Sequence, residues 1–421
     1  MARLDYIKYQ NFEVSLNKDG QLKTEASPKK AIQELPQIFW NDAISWTEAN
    51  LWALERATDH NVHIETVKRN MKHLKTYADF LEDNRADWRH FPFRKDEQPL
   101  RRFRGFLLGK VDDRSLKIST AQNCMSAVIL FYRFADLHDL VGNRIPMWKD
   151  RIATIPFFDS SGFKRTMLRV SSNLSISNRT QSSVALEDGL LPLRADHMTE
   201  LLRLTSENEV EELHLMLATG FFTGARIGTI TTLTVTGLES ARQDSNIPGI
   251  RLLKVGPGTK ISTKFSVSGE ILIPETVYQD LKRYATSTNR LRREVKANFK
   301  NKDLLFLNRK GLPYTVSTVN RLVYEMRKHA VDAGMKQFAK FKFHQTRATF
   351  GTWLIKLLLD AGYPNGVAVG IVRDAMLHKN ERVTFGYIKF LENTKAKIEF
   401  ASHFNAAFTG LKQRDWNTLN A

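Results

Sequence analysis

Two arginines, two histidines and a tyrosine in the second half of the chain have types and spacings suited to phosphate chemistry. Thr223-Gly224-Ala225-Arg226 breaks one helical pattern at Thr-Gly and starts the next with an arginine. A turn of this kind holds a guanidinium in a fixed place near a helix start, a good setting for phosphate. His344 and Arg347 stand at i and i+3 of another helical pattern, so they share one face. The arginine offers a planar fork, and the histidine can donate or carry a proton. Leu377-His378 is followed, nine positions on, by Tyr387. Each piece alone also has an ordinary reading: a surface arginine after a turn, a pair on a solvated face, a half-buried aromatic.

The elements that must hold these residues can be read from hydropathy periods. The chain has 421 residues, 42% apolar and 26% charged. That composition fits two globular domains and excludes a disordered or collagen-like chain. Lys plus Arg number 63 against 45 acids, a net charge of +18. Colloidal solubility needs far less, so the excess points to a polyanionic partner, most commonly a phosphate backbone. No apolar window spans a membrane, and the N-terminus lacks the pattern of a secretory signal. The single cysteine, Cys124, excludes an intrachain disulfide framework and a Cys-based zinc site. A reducing cytoplasmic setting is the simplest expectation.

Residues 1–34 read as an N-terminal extension, with an alternating stretch and an Asp19-Gly20 hairpin turn. Region 35–150 reads as a small basic helical domain. Val67, Met71, Leu74, Ala78 and Leu81 form one stripe of a helix. A second helix, N-capped by Ser119, carries Cys124, Val128, Phe131 and Ala135. Trp46 and Trp52 belong to its core. His60 and His63 lack a third ligand and read as a solvated face. Residues 151–190, with three Ser-Ser pairs among Lys164, Arg165, Arg169 and Arg179, read as a linker along something anionic. Region 191–421 is a second domain. It has helical patterns at about 195–217, 315–331 and 347–359, and strand-like runs at 250–255 and 271–273 joined through Gly256-Pro257-Gly258. A basic run, Arg290, Arg292, Arg293, Lys296, Lys300 and Lys302, reads as a second anion-facing stretch.

Arg, then Lys, then His-x-x-Arg, then His, then Tyr nine residues on, resembles the tyrosine recombinase (phage integrase) family. The resemblance covers most of 191–390, and region 35–150 is similar to that family's core-binding domain. It implies a mainly α fold with a small β-hairpin sheet, two domains closing as a C-shaped clamp on double-stranded DNA. It implies site-specific recombination through a 3′-phosphotyrosyl intermediate. Tyr387 would be the nucleophile, Arg226 and Arg347 would clamp the non-bridging oxygens, His344 would accept the tyrosine proton and His378 would donate to the phosphate. A hairpin lysine would protonate the departing 5′-hydroxyl. Lys264 is preferred, with Lys260 the alternative. No metal and no cofactor is implied, because covalent storage of the phosphodiester bond removes the need for ATP.

Two features depart from the family pattern. Thr229 stands where an acidic residue usually follows the first arginine, and the Arg347–Tyr387 interval of 40 is somewhat long. Rival readings are a type IB topoisomerase-like or telomere-resolvase enzyme, and a DNA-binding regulator without catalysis. The implied partners are DNA and further copies of the chain, four on two DNA sites, with no membrane or small-molecule substrate and a nucleoid-associated, cytoplasmic location. Phe400, Phe404, Phe408 and Leu411 form an apolar stripe on the tail. Such a stripe needs a groove, and the resemblance places it in a neighbouring protomer.

Overall fold

The computed structural model describes residues 1–16, 21–28, 31–59, 62–142, 146–158, 164–178, 186, 190–245, 247–378, 383–392 and 394. Asp19-Gly20 and the apolar stripe 400–411 lie outside the described residues. Two compact units divide the chain, residues 1–180 and 181–421.

The first unit begins with β1 (Arg3–Tyr9), β2 (Phe12–Leu16), β3 (Leu22–Ala26) and β4 (Ile32–Phe39). β1 pairs antiparallel with β4, and β2 pairs with β3 inside them. The outer pair is part of the core rather than an appendage. Leu35 and Ile38 of β4 are buried, and Asn50 both accepts from Ile38 N (2.7 Å) and donates to Ile38 O (3.0 Å). Asn50 lies on α1 (Thr47–Thr58), which is followed by α2 (Ile64–Asp83), α3 (Pro99–Asp112) and α4 (Ile118–Leu137). The five stripe residues of α2 are all buried. His63 caps that helix, its Nδ1 accepting from Glu65 N at 3.2 Å. α4 starts one residue before Ser119, with Lys117 at its N-cap, so Ser119 sits inside the first turn. Trp46, Trp88 and Phe131 pack with centroids 5.1–5.8 Å apart. Cys124 faces this core, and burial pushes its thiol up to about 12, which leaves it inert.

The segment expected to be a linker holds a hairpin instead. β5 (Asp150–Phe158) pairs with β6 (Lys164–Ser172), from Asp150↔Ser172 to Phe158↔Lys164. The serines and arginines masked an alternation in which β-branched Ile152, Thr154 and Val170 suit extended backbone.

The second unit contains α5 (Ala195–Asn208), α6 (Glu211–Thr223), α7 (Ile227–Ile230), α8 (Val235–Glu239), β7 (Arg242–Gln243), β8 (Ile250–Val255) and β9 (Gly269–Pro274). It continues with α9 (Glu275–Ala285), α10 (Thr288–Lys296), α11 (Val316–Asp332), α12 (Gln345–Asp360) and α13 (Asn365–Ala375). Residues 383–392 form a further helix, α14. The three strands make one antiparallel sheet in the order β7-β8-β9. The helical pattern at 195–217 is thus two helices, broken at Glu209-Val210.

The basic run on α10 does not present all its charges to solvent. Arg290 is buried and donates to Lys302 O (2.6 Å) and Leu304 O (3.0 Å) while pairing with Glu294. Arg293 pairs with buried Glu212 of α6 and donates to Leu307 O at 2.8 Å. Tyr284 donates to the same Glu212 carboxylate at 2.8 Å. The helix turns these two arginines inward because a buried carboxylate and unfilled carbonyls await them there. Arg292 remains exposed.

Candidate active site

α6 ends at Gly224, whose backbone is left-handed (φ 65°) and whose N–H bonds Gly220 O at 3.1 Å. Glycine is required there twice over. The left-handed conformation disfavours a side chain, and a Cβ would lie 2.4 Å from Phe350 Cδ1. The sharp stop sets Arg226 at the N-cap of α7. Arg347, on the first turn of α12, is 2% exposed. Its Nη1 donates to Gly224 O (2.5 Å) and its Nη2 to Met376 O (2.7 Å). One guanidinium therefore ties the α6–α7 turn to the end of α13.

Between β8 and β9 the chain returns to this spot. Thr263 Oγ1 donates to Val267 O at 2.6 Å, closing a short loop that carries Lys264. Arg226, Thr229, Lys264 and Arg347 line one small pocket, with Met376 and Leu377 on its wall. Lys260 points elsewhere and pairs with Asp303 at 2.9 Å. Three cations of the set thus converge on one cavity, the arrangement that receives a phosphate. Thr229 lies on the same wall, in place of an acid that would have offset part of that charge.

The remaining residues do not line the pocket. Leu377 has a left-handed backbone (φ 51°) that turns the chain into His378. His378 is buried, and its Nδ1 lies 2.8 Å from Thr384 Oγ1. Its ring stacks on Tyr387 at 6.2 Å between centroids. Tyr387, on α14, is fully buried. Its ring lies against Gly351 of α12, where a Cβ would come within 2.6 Å of Tyr387 Cε1. His344 is half-buried at the N-cap of α12, one turn before Arg347, and is not part of the pocket wall. Thr384 escaped sequence reasoning. Its signal was its place between His378 and Tyr387, where a short hydroxyl can orient the imidazole.

Residues 192–393 match the phage integrase family. The fold is similar to that of the XerH site-specific recombinase solved bound to its difH substrate. Identity there is 17%, coverage is 85% of each chain, and the TM-score is 0.51. It is also similar to the Tn1549 transposon integrase (residues 82–397) in complex with circular intermediate DNA. That match has 16% identity, covers 81% of this chain and 94% of the other, and has a TM-score of 0.50. No curated protein matches the sequence. Residues 192–393 are therefore a phage integrase domain, the domain of tyrosine recombinases, enzymes that break and rejoin DNA.

Proposed function

We propose that the chain recombines DNA at specific sites, with Tyr387 as the nucleophile. The observation that carries this reading is the convergence of Arg226, Lys264 and Arg347 on one pocket, backed by the stacked His378–Tyr387 pair. Tyr387 Oη attacks the phosphorus of a DNA phosphodiester. A 3′-phosphotyrosyl bond forms, and the bond to the 5′-oxygen breaks. The phenol proton passes to His344, and Lys264 protonates the leaving 5′-oxygen. A phenol titrates near 10, so attack at neutral pH needs both a base and strong stabilisation of the charged transition state. Arg226 and Arg347 supply that stabilisation at the non-bridging oxygens. His378, oriented by Thr384, donates to the same phosphate through its other ring nitrogen. The 5′-hydroxyl of a second strand reverses the step.

Two consequences follow for the protein's cycle. Tyr387 is fully buried, so α14 must shift before the hydroxyl reaches a phosphate in the pocket. Exchange between two duplexes calls for four protomers, and the apolar tail stripe would join them by seating in a neighbour. Among the described residues no helix is long and apolar enough to cross a membrane, and the enzyme would act on nucleoid DNA.

A nicked suicide duplex tests the reading. Wild type should trap a covalent adduct, whereas Tyr387→Phe should trap none and bind DNA within a few-fold of wild type. An adduct from the Phe variant, formed for instance by Tyr363, would sink the assignment. A substrate carrying two sites separates strand exchange from simple relaxation, the topoisomerase alternative. Truncation after Ile398 should leave single-site binding and remove the two-duplex complex in a mobility shift.

A further inference from the structure

Lys264 comes to the pocket on the loop 256–268 between β8 and β9. A lysine stem is long and flexible, so its ammonium is only as well placed as the backbone beneath it. Two contacts fix that backbone just before Lys264. Ile261 is buried against Gly237 of α8, where a Cβ would lie 2.9 Å from Ile261 Cδ1. Ser262 N–H donates to Thr232 Oγ1 at 2.9 Å. Thr232 stands just past α7, the short helix with Arg226 at its N-cap. Its hydroxyl donates back into that helix, to Gly228 O at 2.9 Å with Thr229 O at 3.1 Å. Such bonding to the preceding turn is ordinary for a threonine near a helix end. Accepting a backbone N–H from 30 positions along the chain is not. One hydroxyl thus joins the helix that starts at Arg226 to the loop that carries Lys264, without itself lining the pocket.

We infer that Thr232 is a positioning residue that sets Lys264 against Arg226, so that both meet one phosphodiester. This rests on the function proposed above. Arg226 holds a non-bridging oxygen, and Lys264 protonates the 5′-oxygen on the same phosphorus. Any slip of the loop along α7 therefore falls directly on the proton transfer, which needs hydrogen-bond reach. A threonine hydroxyl accepts from Ser262 N and donates to Gly228 O at the same time, and a serine can do likewise. Valine has the shape of threonine and can do neither. Thr232 takes no part in the bond changes and acts through Lys264.

The test measures single-turnover adduct formation on two duplexes, one ordinary and one with a 5′-bridging phosphorothioate, whose sulfur leaves without a proton. On the ordinary duplex Thr232→Val and Thr232→Ala should each slow the step about 10- to 100-fold, the scale of a displaced reacting group. Thr232→Ser should stay within about threefold, because its hydroxyl still donates and accepts. On the phosphorothioate duplex the Val and Ala variants should recover to the wild-type rate. In a Lys264→Ala background Thr232→Val should cost nothing more, since the two residues act as one unit. Four results would overturn the inference while leaving the function intact. They are an unchanged rate for both the Val and Ala variants, a Ser variant as slow as the Val variant, a loss that the phosphorothioate does not relieve, and losses that multiply in the double variant. The third would mean that the hydroxyl supports Arg226 or the fold rather than the lysine. A wild-type chain that traps no adduct on either duplex would overturn the function and the inference together.

Discussion

Arg347 and Arg290 are 2% and 3% exposed, and each gives its guanidinium to two backbone carbonyls. Their surroundings differ. Arg290 pairs with Glu294, and its neighbour Arg293 pairs with Glu212. Arg347 opens onto a pocket shared with Arg226 and Lys264. Carbonyl dipoles orient a guanidinium without cancelling its charge, whereas a carboxylate does both. The α10 arginines are therefore joints between elements, whereas Arg347 also lines a pocket with Arg226 and Lys264. Burial and residue type are alike in the two regions. The pocket that Arg347 shares with two other cations separates them.

The largest effect that would break this comparison lies in the pocket. Arg347→Lys keeps the charge and loses the fork. It should cut the rate of adduct formation by about 10²–10³-fold, the scale of losing one donor to a developing oxyanion. A loss under tenfold in a single-turnover assay would mean that Arg347 only braces the turn. The α10 arm comes next. Arg293→Ala leaves the Glu212 carboxylate buried without its partner and should lower stability by about 3–5 kcal/mol in a denaturant melt. Exposed Arg292→Ala should change it by less than about 0.5 kcal/mol. Equal effects of the two substitutions would erase the distinction drawn here.

The two hairpin lysines sharpen the comparison on a smaller scale. Lys264→Ala should slow cleavage of ordinary DNA and be largely rescued by a 5′-bridging phosphorothioate, whose sulfur leaves without a proton. Lys260→Ala should show no rescue. It should lose at most about 1 kcal/mol of stability with its exposed Asp303 bridge. Rescue of Lys260→Ala alone would reverse the assignment. The smallest effect concerns Asp303 itself. Burial disfavours its charged form, but donation from Lys260 and from Thr236 N and Oγ1 outweighs this and holds its carboxyl below the usual range. A depressed acid contributes stability above its unfolded pKa and loses it as the pH falls through its folded one. The stability gap between wild type and Asp303→Asn should be full at neutral pH and close below about pH 4. A gap that persists at pH 2 would show that packing, not charge, is lost.

Local pattern carried much of this molecule. The stripe Val67-Met71-Leu74-Ala78-Leu81 is a helix face because a period near 3.6 leaves no other way to bury those five side chains together. The runs at 250–255 and 271–273 pair as β8 and β9, although the connection is not the Gly256-Pro257-Gly258 turn alone but the whole loop 256–268 that carries Lys264. The order and types of Arg226, His344, Arg347, His378 and Tyr387 stand in the sequence as a resemblance to the phage integrase family, since each piece alone also has an ordinary reading.

Tertiary structure decided the rest, and for one reason. A sequence prints each charge but not the counter-charge that meets it from far along the chain. Arg293 finds Glu212 across 81 positions, and Lys260 finds Asp303 across 43. Those distant carboxylates turned a basic run into a structural joint and took Lys260 away from the pocket. Lys264 lines the pocket with Arg226 and with Arg347, whose guanidinium two carbonyls 123 and 29 positions away hold in place.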